Sequence, residues 1–392
     1  MQEMAKKRIL VYRWNSYNDL DVEQTFRLLG YEVDSVERDK KTYDRDLEFE
    51  QRIKNKIAEN TYDFFFTMNY FPAISIVCEA CGIRYVSWTC DSPLIAMYDK
   101  AVFLDCNIIF TFDRSNYLEF KARGVKHIYH MPLAVNTARI AALPGFFEKR
   151  FEHEISFVGS LYTERNTYDR IKEQFPEYLR GYLDATMQAR LTVPDNQMLE
   201  TMLTTDILET LEENYHLEKS EGSFSNMGLI FSTTVLGFKM ASIQRRRALV
   251  ALSKKHEVTL YNKEKKGELF SLEHKDAVDY WRQMPLVFRR SKINLNFTIP
   301  NIATGLPLRI WDVLGSGGFL LTNFQQEIPE FFEDGKDLVC FHNEEDMCKK
   351  ADYYLTHDKE REEIAAHGRK KAMQHHTYYE RMKKMIDIID KI

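Results

Sequence analysis

The sequence predicts an α/β protein of two domains, each built on a parallel, doubly wound sheet. Three observations carry this. The chain has 392 residues, a length that suits about two domains of ordinary size. Short continuous apolar runs alternate with helical patterns, as strands buried on both faces do. A second such series begins near residue 155, is interrupted by a helical stretch over about 163–253, and resumes at residue 257.

The elements follow in order. Arg8 to Tyr12 is the first strand, Asp19 caps a helix running to Leu29, and Gly30 stops it. Glu32 to Val36 alternates like an exposed strand, and a charged helix is expected over Tyr43 to Asn60. Asp63-Phe64-Phe65-Phe66-Thr67, Arg84 to Trp88 and Asn107 to Thr111 read as buried strands, with a helix from Ala73 to Cys81 among them. Pro144-Gly145 marks the linker, so the first domain is expected over 1–145 and the second over 150–377. The second sheet draws on Ile155 to Gly159, Glu257 to Tyr261, Lys292 to Phe297, Gly318 to Thr322 and Asp337 to Phe341. Helices at Glu344–Thr356, Asp358–Met373 and Tyr378–Ile392 follow.

Composition removes several classes. Lys and Arg number 54 against 59 Asp and Glu, a net charge of −5 that lacks the basic field of a dedicated nucleic-acid binder. With 44% hydrophobic residues, 16 Gly and 10 Pro, the chain is neither disordered nor collagen-like. The apolar run after Met1 to Arg8 ends at Arg13, too soon for a secretory signal, and Met227 to Phe238 is too short to span a bilayer. A cytoplasmic protein without a membrane span is expected. The six cysteines then read as reduced thiols. Cys78-x-x-Cys81 sits in a helix with no second ligand pair at finger spacing, so no metal is expected.

The most informative stretch is Asn301 to Gly318. Pro307 suits the first position of a helix, which leaves Thr304 and Gly305 at its entrance with free backbone N–H groups. Such an end attracts phosphate, Arg309 adds a permanent charge, and Asp312 can accept two hydrogen bonds from a ribose diol. A plain amphipathic helix with an Arg309–Asp312 surface pair fits the same residues. Gly159 and Ser160, directly after a strand, also let a phosphate approach, with Arg165 in reach, although a tight turn with a surface arginine fits as well.

Asp91 follows a buried strand, at the edge where open α/β sheets expose side chains to ligands. It suits either a general base or a turn cap before Pro93, the commoner role. His130 is the alternative base. Asp19-Leu20-Asp21 and Asp44-Arg45-Asp46 match a metal–diphosphate pattern, yet both fall at helix starts, where acidic residues belong anyway. Arg245-Arg246-Arg247 and Lys370-Lys371 read as solvated helix faces. Hydrolase, zincin and kinase motifs are absent.

From Ser291 to Arg381 the chain resembles the C-terminal half of the spore-maturation-protein (CgeB-like) glycosyltransferases of bacteria. The matching pieces are Leu308-Arg309-Ile310-Trp311-Asp312, Gly317 to Asn323, Phe332 to Val339, Ile364 to Gly368, and His376-Thr377-Tyr378 with Arg381. Trp88 to Pro93 and Met131 to Ala134 resemble the N-terminal domain that accompanies that half. The resemblance implies a GT-B fold: two Rossmann-like domains facing a cleft, with a helical insertion in the second and a terminal helix, 378–392, crossing back to the first. It further implies a metal-independent hexosyltransferase, with no cofactor and a nucleotide-sugar, a UDP-sugar, as donor substrate. The acceptor would be a hydroxyl-bearing glycan, protein or small molecule. Gly159, Ser160, Arg165, Thr304, Gly305 and Arg309 would hold the diphosphate, Asp312 the ribose, and Tyr261 or Asn262 the base. Relatives carry a glutamate near the donor sugar eight residues before the ribose carboxylate; here that place is Thr304. A nucleotide-sugar epimerase and a non-catalytic coat or scaffold protein are the alternatives.

Overall fold

The computed structural model describes residues 7–37, 46–148, 150–164, 166–192, 202–217, 220–264 and 271–392. The chain divides into two compact units, Met1–Ala134 with Glu218–Ser225 and His376–Ile392, and Val135–Leu217 with Asn226–His375.

The first unit holds β1 (Arg8–Arg13), β2 (Glu32–Glu37), β3 (Phe64–Met68), β4 (Tyr85–Trp88), β5 (Asn107–Thr111) and β6 (Ile128–His130). They form one parallel sheet in the order β2-β1-β3-β4-β5-β6. Every residue of β3, β4 and β5 is buried, which is why these strands read as unbroken apolar runs. The Asp19–Leu28 helix begins one residue earlier than a cap at Asp19 requires: Asn18 takes the cap position, and Asp19 accepts from the Ser16 N–H at 2.9 Å. The final helix, Tyr378–Ile389, packs on the Asp19–Leu28 helix, with the Asn18 amide donating to the Tyr378 hydroxyl at 2.6 Å.

The second unit holds β7 (His153–Val158), β8 (Val258–Tyr261), β9 (Glu273–Lys275), β10 (Ser291–Asn296), β11 (Leu320–Asn323) and β12 (Val339–Phe341), all parallel, in the order β12-β11-β10-β7-β8-β9. Ile155, Leu260, Ile293, Leu295 and Leu321 share one core beneath the Glu344–Thr356 and Gly237–Ser253 helices. The inserted helices, among them Glu177–Thr192 and Thr205–Asn214, have a core of their own around Tyr168, Leu183, Leu211 and Phe231.

Met227 to Ser253 is continuously helical but contains one wide π turn at Ser232–Leu236. The side chain of Asn301 enters that turn and donates to the Thr233 carbonyl at 2.7 Å. Gly237 makes room for it, since a Cβ there would lie 1.9 Å from Asn301 Oδ1.

Candidate functional site

In the second unit the chain lays β8 and β9 to one side of β7, and β10 to β12 to the other. The loops leaving β7 and β10 therefore diverge, and the crevice between them is where open α/β sheets take ligands. Arg245, on the Gly237–Ser253 helix, spans it. One guanidinium nitrogen donates to the Ser160 carbonyl at 2.6 Å and another to the Phe297 carbonyl at 2.7 Å. The guanidinium also lies 4.7 Å from the centre of the Tyr162 ring, which stacks in turn on Phe238. Burial lowers the Arg245 pKa; Tyr162 opposes this, and the charge of Arg309 adds to it.

This corrects the sequence reading of Arg245-Arg246-Arg247 as a solvated face: Arg247 is exposed, but Arg245 is only 8% exposed. The signal was available. Ala241, Ser242, Arg245, Ala248, Leu249 and Leu252 are buried at helical spacing, so Arg245 falls inside the stripe that faces the sheet.

The loop after β7 is held by Glu264, which sequence reasoning missed. Its carboxylate accepts from the Ser160 hydroxyl and from the N–H groups of Tyr162 (3.1 Å) and Thr163 (2.7 Å). Burial works against its charge, yet these donors outweigh burial and hold its pKa below the ordinary value. Tyr162 takes a left-handed backbone, φ 56°, at the apex. Gly159 and Ser160 thus stand on a turn fixed by a carboxylate, while Arg165 lies outside the described residues.

The opposite wall is the segment from Phe297 to Pro307. Pro307 is extended and takes the cap position, so the helix Leu308–Ser316 begins one residue later than expected, and Thr304 and Gly305 approach the entrance without belonging to its first turn. The Thr304 hydroxyl donates to Glu327 at 2.7 Å, and the Glu327 N–H returns to the Thr304 carbonyl at 3.2 Å. Glu327 is 2% exposed, a buried carboxylate with no distinctive sequence pattern to announce it. Arg309 packs on the Phe288 ring and lies 3.4 Å from Asp312. Asp312 is buried, and its other oxygen accepts from the Tyr280 hydroxyl at 2.8 Å.

Tyr261 points its hydroxyl at His153 (2.9 Å), the first residue of β7, so its ring lies along the sheet. Asn262 pairs with His274 at 2.7 Å, and its buried amide nitrogen has no hydrogen-bond partner among the described residues. The arrangement brings together a helix N-terminus, Arg309, Arg245 and the loop of Gly159 and Ser160, a set suited to an anion.

In the first unit, Asp91 is exposed and accepts from the Asn69 amide at 2.7 Å. Asn69 is fully buried with φ 60°, and its side-chain Oδ1 accepts from the Cys90 N–H. His130, ending β6, sits 3.3 Å from the Phe112 carbonyl. Asp46 caps the Leu47–Glu59 helix, whereas Asp44 and Arg45 lie outside the described residues. Among the described residues no cluster of three His, Cys, Asp or Glu could hold a metal, and no helix is long and apolar enough to cross a membrane. All six cysteines are free thiols; Cys81 is exposed, and Cys78 is buried with its pKa raised by burial.

Residues 245–387 match the model of the glycosyl transferase-like family. Among solved structures, the sucrose-phosphate synthase of Thermosynechococcus elongatus is similar with a TM-score of 0.58 at 7% identity, over 98% of this chain and 99% of that one. A glycosyltransferase of Rickettsia africae gives 0.57 at 10% identity, over 99% of both chains. Anabaena HepE, solved in complex with UDP and glucose, gives 0.56 at 8% identity, over 98% of this chain and all of that one. The chain has a GT-B glycosyltransferase fold. No curated protein sequence matches it. The family match begins at Arg245, covers β8 to β12 and the helices after them, and ends within Tyr378–Ile389.

Proposed function

We propose that this GT-B protein is a metal-independent hexosyltransferase of CgeB-like type, moving a sugar from a UDP-sugar to a hydroxyl of an acceptor. The observation that carries the reading is the pair of guanidinium groups, Arg245 and Arg309, at the switch crevice of the second sheet. UDP and UDP-glucose bound to the similarly folded Anabaena HepE support the choice of donor.

In the reaction the acceptor oxygen forms a bond to the sugar's anomeric carbon while the bond to the diphosphate breaks. Negative charge gathers on the leaving diphosphate. Arg309, the helix N-terminus beyond Thr304 and Gly305, and the loop of Gly159 and Ser160 stabilise that charge, and they are fixed before the reaction begins. Arg245 acts by holding the two loops together. Asp312 serves the ribose, Asn262 the base, and Asp91, with His130 as the alternative, takes the acceptor proton.

Thermal-shift measurements with UDP and UDP-glucose test this. At about a hundred times its dissociation constant a ligand stabilises by roughly 2.7 kcal/mol. A shift with UDP that Arg309→Ala abolishes is expected. No shift with any nucleoside diphosphate would overturn the reading.

A further inference from the structure

A cavity of about 380 Å³ opens at the amino ends of the strands of the second sheet, the end opposite the crevice. Ser291 and Lys292, which begin β10, and Phe319, just before β11, line it. The crevice lies past Asn296, at the far end of the same strand, roughly 17 Å away at the rise of a β-strand.

The lining is cationic. Arg150, Arg289, Lys292 and Arg361 face it against Glu148 and Glu362, and Glu148 already pairs with Arg290 at 3.5 Å. Arg361 is 1% exposed. One nitrogen serves the Tyr354 carbonyl and Asp358, both at 2.6 Å, while Nη2 is buried with no hydrogen-bond partner among the described residues.

Arg289, from the cavity wall, and Arg369 beside it both lie against the Phe146 ring, at 5.3 and 5.1 Å. Burial lowers the pKa of each, and the charge of Arg289 lowers that of Arg369 further. Gly317 lets them close in, since a Cβ there would stand 2.7 Å from Arg289 and 2.8 Å from Arg369. Arg361 is buried and Arg289 and Arg369 are half-buried; cations so placed are costly unless an anion compensates them, and this group has fewer carboxylates than guanidiniums. Phe151, Phe319, Ala365 and Ala366 supply an apolar wall beside the charges.

We propose that this cavity binds a small organic phosphate, its phosphoryl group held by Arg289, Lys292 and Arg361 and its carbon part against Phe151 and Phe319. The site is separate from the crevice and does not depend on the function proposed above.

Phenyl phosphate, titrated calorimetrically into the full chain, is the probe. It is expected to bind the native protein and Arg309→Ala with the same affinity, and at least tenfold more tightly than inorganic phosphate. Arg289→Met and, at the more accessible side chain, Lys292→Met are each expected to weaken it at least tenfold while unfolding at the native temperature. Absence of binding, binding unchanged by Lys292→Met, or binding lost only in Arg309→Ala would overturn the proposal.

Discussion

Asp19 is a carboxyl group that folding places at a disadvantage. Burial raises its pKa from the ordinary 3.8 to about 7; the Ser16 N–H and Arg13 resist, and Glu23 and Glu37 add to the rise. Between those two values the folded chain keeps a proton that the unfolded chain has released. The stability this group contributes is complete below about pH 4 and is lost as the pH rises through 7. Asp19→Asn keeps the acceptor for Ser16 and removes the titration. It should therefore raise the unfolding free energy by roughly 2–4 kcal/mol at pH 8 and change it little at pH 4, as urea titrations at the two values would read. Single residues were also where the sequence was hardest to read. Arg309 and Asp312 stood out because a helix start is marked by its proline and its spacing. Glu264 and Glu327 did not, because a carboxylate that turns inward to meet backbone N–H groups or a hydroxyl looks, in sequence, like any other acidic residue of a loop. Only the fold brings Glu327 to Thr304 or Glu264 to Ser160.

At the scale of elements the strands β3, β4 and β5 were legible because burial on both faces leaves a largely hydrophobic run. β9, three residues reading Glu-His-Lys at the sheet edge, has no such run and left no trace. The π turn left none either, since it depends on Asn301, 64 positions beyond Gly237, entering the helix from outside. Gly237→Ala should lower stability by roughly 1–3 kcal/mol, the usual cost of overpacking. Adding Asn301→Ala removes the clash, so the double variant should recover part of that loss, and a double-mutant cycle in urea measures how much. Equal, additive losses would mean that the two side chains do not meet. Because Asn301 lies in the segment that leads to Thr304, the same contact fixes one wall of the crevice to the inserted helices.

At the scale of the molecule, the first unit takes its last helix from the far end of the chain. Met382, fully buried, and Met385 and Ile389, at 2% exposure, form the packed face of Tyr378–Ile389. Met382→Asp places an unpaired charge in that face. Hydrogen exchange should then show lost protection in β1 to β6 and retained protection in β7 to β12. A uniform loss would show that the two units unfold as one. The two-sheet plan itself was visible as a repeated strand–helix rhythm, whereas the crossing of the last helix back to the first unit was expected only from the family resemblance, not from the rhythm.

This arrangement sets an order of events during translation. The roughly 240 residues from Val135 to His375 leave the ribosome before the helix that completes the first unit. At roughly 5–20 residues per second that interval lasts on the order of 10–50 s. Throughout it, the surface of the Asp19–Leu28 helix that receives Tyr378–Ile389 stays uncovered. The second unit, contiguous apart from a short excursion ending at Ser225, is the one able to close first. The nascent chain thus finishes its beginning last.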